Sequence, residues 1–427
     1  MKRKIFIALL ALIAVFACVL GLTACGGDDI ENIEGETGGQ ESTDILEYEG
    51  NVENGVTVAY SVSGLNTSNL KNLDISNLNI EIPSVHDGKP VTSIRHGAFS
   101  GRIVFVGMGG DGNVSQIEVT IKSVTVPDSV TSIGWQAFYK CIGLESITLP
   151  DSIESIGELA FDETAYYSDA DNWENGVLYI GKYLINASPD IAGNYEIKPG
   201  TLTIADGAIF CCNDLTGVIL PESLRNIGYQ AFGGCSNLAS LNIPKGVKNI
   251  AGYAFIHCSR LEEISVAAGN SVYHSYGNCL IETQSKTLIL GCANSEIPDD
   301  GSVTAIGECA FADCIELRTI TIPEGIISIG DGAFELCSNL TEIVIPNSVK
   351  SIGNYAFAEC VTLKSVLITE KVTSIGAGAF QNCFFLRVIN YLGTKEQWEQ
   401  LEKGEYWDSG TREYTVHCSN GNVSKEN

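Results

Sequence analysis

Basic residues are scarce in this chain: 25 lysines and arginines stand against 52 aspartates and glutamates, a formal charge of −27. Binding to nucleic acid needs cations that displace counterions from phosphates, so the balance argues against DNA, RNA and anionic lipid headgroups as partners. Histidine is also sparse, and the five present (His86, His96, His257, His274 and His417) show no metal-type pairing. No serine lies in a nucleophile-elbow phrase. The stretch from Gly107 to Gly112 has the glycines of a phosphate loop without its lysine or its strand-to-helix setting. Asp169-x-Asp171 begins like a calcium loop, yet Trp173 takes the next ligand place and no correctly spaced glutamate follows. No enzyme activity, cofactor or metal is therefore expected, and the scattered carboxylates read as a solvated surface.

What is present begins with an export signal. Lys2, Arg3 and Lys4 precede an uncharged apolar run from Ile5 to about Leu22, followed by Leu22-Thr23-Ala24-Cys25. An uncleaved membrane helix is the other reading of a run this long. However, the four residues resemble the bacterial lipobox, which implies cleavage after residue 24 and a diacylglyceryl group on Cys25. From Gly26 to Gly50 there are nine acidic residues and no base, a composition that cannot bury enough apolar surface to fold. Residues 25–50 are expected to be an extended, disordered tether.

The body of the chain repeats a phrase. It reads Cys141-x-x-Leu144-x-x-Ile147-x-Leu149-Pro150-x-x-Ile153-x-x-Ile156-Gly157-x-x-Ala160-Phe161, and recurs at Cys314 to Phe334, Cys337 to Phe357 and Cys360 to Phe380. Anchored on the Ala-Phe pair (Phe99, Phe138, Phe161, Phe232, Phe255, Phe311, Phe334, Phe357, Phe380, with Ile209 as a degenerate tenth), six successive intervals are 23 residues. Such a period predicts a solenoid. Ile-x-Ile-Pro alternates as a strand does, and Gly-x-x-Ala-Phe suits a turn into a short helical or 3₁₀ segment. About six large apolar side chains per rung are worth on the order of 10 to 15 kcal/mol. Ordering the backbone of 23 residues costs roughly 1 to 2 kcal/mol each, so a rung is stable only when stacked.

This phrase resembles the BspA-like, treponemal-type leucine-rich repeat found on surface proteins and lipoproteins of gut and oral bacteria. The likeness spans roughly Ile80 to Tyr391. It implies an α/β leucine-rich-repeat solenoid with a parallel sheet, and a role in adhesion or protein binding with no shared catalytic residue. The expected organisation is a signal peptide at 1–24, the tether at 25–50, a solenoid with its amino-terminal cap and hairpin inserts at 51–392, and a carboxyl-terminal cap at 393–427. The expected location is the outer face of the bacterial membrane, held through the lipid alone. The expected partner is a protein or glycoprotein. A glycan or nutrient receptor is the alternative; it wants aromatics clustered on one face, and the repeats supply few.

Three anchor intervals are longer than the rest, at 39, 48 and 56 residues. The second and third contain pairs of apolar runs, 177–180 with 183–185 and 279–282 with 287–290, which predict hairpins that supply specificity or simply replace a rung. The stretch 169–174, with Trp173, is read as exposed, acidic and aromatic. Thr394-x-x-Gln397 fits a capping box, and Trp398 and Trp407 are expected to seal the last rung. Eight cysteines sit three residues after an anchor, a straight row that suits neither zinc nor disulfides, so buried thiols are expected. The candidate contact surface is the outward strand position, which reads Thr125, Thr148, Ile219, Asn242, Ser265, Thr321, Val344, Leu367 and Asn390. Val344 and Leu367 fall in successive rungs and make an apolar spot among small polar neighbours, unless the carboxyl-terminal cap folds over them.

Overall fold

Each 23-residue phrase closes one turn of a solenoid, and the structure, a computed structural model, shows why every part of it recurs. Residues 45–66, 69–70, 75–101, 103–108 and 114–425 are described, with backbone alone for 103–108 and 114–118. Cys25, residues 25–44 of the expected tether and the 109–113 turn lie outside the described residues.

Three ladders run along the stack. In the first, strands such as Ser365–Ile368 send Val366 and Ile368 inward and Ser365 and Leu367 outward. Val366 pairs with Ile343 in the preceding rung and Ile389 in the following one, so like positions stack. In the second, two-residue strands such as Ser351–Ile352 pair in parallel with Ser328–Ile329 and Ser374–Ile375. The third is built from turns: the Phe334 N–H donates to the Ala356 carbonyl at 2.7 Å and the Phe357 N–H to that of Ala379 at 2.8 Å. Its bonds point forward along the stack, whereas the second ladder donates backward, as from Gly353 N–H to the Ile329 carbonyl at 2.8 Å.

The turn segment is not a helix. Isolated i to i+3 bonds form, as from Ala358 N–H to Tyr355 O at 3.0 Å and Cys360 N–H to Phe357 O at 3.3 Å. Tyr355 (φ +52°) and Glu359 (φ +58°) are left-handed, which stops a helix from propagating. The glycine opening the segment is required by crowding: a Cβ on Gly353 would lie 2.5 Å from the Gly330 carbonyl carbon and 2.6 Å from Asp331 N.

The anchors form a column of offset-stacked rings, with Phe311, Phe334, Phe357 and Phe380 separated by 5.0, 5.2 and 5.3 Å and all fully buried. Every described cysteine is a free thiol, and the ladder cysteines have a structural task. Cys360 Sγ donates to the Phe334 carbonyl at 3.2 Å and Cys383 Sγ to that of Phe357 at 3.1 Å. Each such carbonyl also accepts the N–H of the cysteine in its own rung. The thiol thus supplies a second donor to a buried oxygen with two lone pairs.

Both predicted hairpins are present, Val177–Ile180 with Tyr183–Ala187 and Cys279–Glu282 with Thr287–Leu290, and the first insert is a third, Ile103–Met108 with Val114–Glu118. Residues 183–184 pair in parallel with 203–204, and 287–288 with 305–306, so these inserts replace a rung. Ser188 and Gly291 then supply the carbonyls for Cys212 and Cys314. Cys279 and Cys292 bond to backbone carbonyls, not to each other.

Two boundaries differ from expectation. Leu46–Glu53 is a strand paired with Val56–Leu65, so folding starts before residue 50; Leu46 is buried although its neighbours are acidic. At the other end, Glu402–Lys403 and Thr415–Cys418 continue the second and first ladders, so the cap contains a further rung. The capping box is formed as read, with Thr394 and Gln397 bonding reciprocally at the start of Lys395–Gln400. Trp407 meets Phe380 edge-on at 6.1 Å and Trp398 at 5.9 Å, closing the ring column.

Candidate binding surface

The outward positions of the first ladder fall in register. Thr125 lies beside Thr148, Asn242 beside Ser265, and Val344, Leu367, Asn390 and His417 follow one another across four parallel strands. Asn242 accepts a bond from the Ser265 hydroxyl at 3.3 Å, the behaviour of a solvated polar ladder. Val344 breaks that pattern at 54 % exposure, with Leu367 half-exposed beside it. The cap does not fold over them: its helix closes the end of the stack, and Thr415–Cys418 with Gly421–Ser424 extends the sheet sideways. Phe384, Phe385 and Leu392, in the following rung, are exposed as well.

Two positions depart from the reading. Thr321 is exposed, but residues 318–322 form no strand; one sheet of the first ladder ends at Glu263–Val266 and the next starts at Glu342–Val344. The third insert interrupts the register there, and the core likewise divides into two apolar clusters around residues 279–292. Trp173 is not exposed as expected. Its ring meets Tyr167 edge-on at 5.2 Å and its Nε1 donates to the Tyr167 carbonyl at 2.8 Å, so it is half-buried and hydrogen-bonded within the insert. Asp169 caps the short turn at 170–172 through the Asp171 N–H.

Burial pushes the Cys141 and Cys383 thiols of the ladder up to about 12, so these two stay protonated and unreactive at neutral pH. Sequence reasoning missed a second surface. One side chain per rung, just after the glycine position, faces a groove beside the second ladder; there Trp135 and Tyr229, at 44 and 42 % exposure, flank two carboxylates. The lengthened anchor intervals hide that row from a 23-residue scan.

Stacked rungs, a ring column and an open strand face define a leucine-rich-repeat β-solenoid. A profile of the BspA type leucine-rich repeat region, in six copies, matches residues 115–192, 191–301 and 291–401, and the chain belongs to that family. Among curated proteins none matches. Solved structures similar to it include a leucine-rich cell surface protein from Faecalibacterium prausnitzii, 25 % identical, covering 86 % of this chain and 98 % of its own, TM-score 0.44. The pneumococcal vaccine antigen PcpA is 18 % identical over 88 % of this chain and 97 % of its own, TM-score 0.42. A Treponema pallidum leucine-rich-repeat protein is 18 % identical over 75 and 88 %, TM-score 0.24. All three scores are below 0.5, so the family assignment rests on the repeat profile.

Proposed function

We propose that the chain is a lipid-anchored recognition protein of the bacterial surface that binds a protein partner through the exposed face of its carboxyl-terminal sheet. The observation that carries this is the in-register pair Val344, exposed, and Leu367, partly exposed, two aliphatics side by side on a ladder whose other outward positions are mostly small and polar, with Ile219 a lone exposed aliphatic farther along. Exposed aliphatics on a flat sheet gain by burial against a partner, at about 25 cal/mol per Å². Leu22-Thr23-Ala24-Cys25 supports anchoring through Cys25.

A screen of host matrix proteins, bacterial surface proteins and glycans against the purified chain identifies the partner. Val344→Glu and Leu367→Glu should abolish its binding with a nearly unchanged urea midpoint. Normal binding by both variants refutes this surface. Mass spectrometry of the membrane-extracted amino-terminal peptide tests the anchor; an unmodified Cys25 still joined to Ala24 refutes it.

A further inference from the structure

The groove beside the second ladder holds a recognition chemistry different from that of the sheet. Its volume is about 470 Å³, and it runs across the rungs from Ser93 to Tyr229. Trp135 and Glu158 take the same place in two adjoining rungs before the second insert, and Asp206 and Tyr229 take it in two adjoining rungs after it. Backbone bonds join them: Gln136 N–H to Glu158 O at 3.1 Å, Asp206 N–H to Ile156 O at 2.9 Å, and Gly207 N–H to Tyr229 O at 2.8 Å. The two pairs line one groove, so the Glu158 and Asp206 carboxyls stand between the Trp135 and Tyr229 rings. The Glu158 side chain lies across Gly207, where a Cβ would approach its Cγ to 3.2 Å. Asp206 Oδ1 accepts the Tyr229 N–H at 2.7 Å, which fixes its orientation.

Both carboxyls are pushed above the usual range, Glu158 by loss of hydration and by Asp206, and Asp206 by loss of hydration. Two acids held this way are relieved by a cation. The basic residues lining the groove are Arg95, which ion-pairs with Glu49, and His96, whose ring lies 5.2 Å from that of Trp135. A planar cation fits both halves of the arrangement: a guanidinium stacks on an indole face and forks onto carboxylates, which a compact ammonium does less well.

We propose that this groove binds an arginine side chain of a basic peptide, its guanidinium stacked on Trp135 and hydrogen-bonded by Glu158 and Asp206. The chain's formal charge of −27 steers such a segment inward. The site is separate from the sheet at Val344 and does not depend on it.

The test is calorimetric titration of the purified full chain with acetylated tetra-arginine amide, tetra-lysine amide and chitotetraose at about 150 mM salt, where exposed long-range attraction is screened. Tetra-arginine should bind several-fold more tightly than tetra-lysine. Trp135→Ala, Glu158→Gln and Asp206→Asn should each weaken it about tenfold. Glu342→Gln, an equal loss of charge on the exposed first ladder, should leave it unchanged, and thermal melts should show all four variants folded, with Glu158→Gln and Asp206→Asn no less stable than the parent. Equal affinity for both peptides, parental binding by Trp135→Ala, or binding of chitotetraose in preference to the peptide overturns the proposal, as does no binding at all.

Discussion

Removal of one ring from the middle of the aromatic column should destabilise the stack more than its size suggests, because two interfaces lose a partner. Phe357 is fully buried and lies between Phe334 at 5.2 Å and Phe380 at 5.3 Å. Phe357→Ala leaves a cavity on the order of 100 Å³, which at ~24 cal/mol per Å³ costs about 2.4 kcal/mol. Lost transfer energy of the ring adds ~2 kcal/mol, for a total of about 4 kcal/mol. The backbone bonds of residue 357 survive, so the loss reports on the ring alone. With a urea slope of about 1–3 kcal/mol per molar, the midpoint of the carboxyl-terminal rungs falls by roughly 2 M. Thr321→Ala, on the exposed face, should change stability by less than ~0.5 kcal/mol. Coincident urea curves for Phe357→Ala and the parent, or an equal drop for Thr321→Ala, refute the reasoning.

Gly353→Ala should cost several kcal/mol in the same melts, since its Cβ meets backbone at 2.5 Å and no side chain can yield. Burial, with Glu359 adding to it and His257 opposing, raises Glu335 from 4.5 to about 7. The stability tied to its protonated form is full below pH ~4.5 and lost as pH rises through 7. Glu335→Gln should therefore match the parent at pH 4 and exceed it by up to ~3 kcal/mol at pH 8, measured by urea midpoint. Iodoacetamide at pH 8 should label the half-exposed Cys211, Cys309 and Cys418 before Cys337, Cys360 and Cys383, which should react only with added urea; mass spectrometry of the digests counts them.

Much of this architecture was legible because a solenoid writes each contact at a fixed offset. The Phe anchors, the inward cysteines, the two later hairpins and the Thr394 to Gln397 cap all sit where local pattern places them. The outward ladder was legible for the same reason, since strand alternation assigns Val344 and Leu367 to one face. Three things were hidden. Leu46 and Tyr48 alternate with Glu47 and Glu49 as a strand does, but the acidic composition around them reads as tether. Thr321 keeps the phrase yet loses the ladder, because the insert before it displaces its neighbour by more than a period. Trp135, Glu158, Asp206 and Tyr229 come together only after the second insert is folded aside.

The ring column is broken at Ile209 and again where the two core clusters meet: there the place between Phe255 and Phe311 is taken by Gly291, at which a Cβ would lie 2.0 Å from the Phe311 ring. Under tension along the stack, bonds between rungs are loaded directly, and the joint at Gly291, where both the ring column and the apolar core are interrupted, yields first. Each rung that peels away releases roughly 80 Å of chain, at about 3.3–3.6 Å per residue. Pulled from its ends, such a molecule lengthens in steps from an interior seam, and its capped termini stay shut while the middle gives.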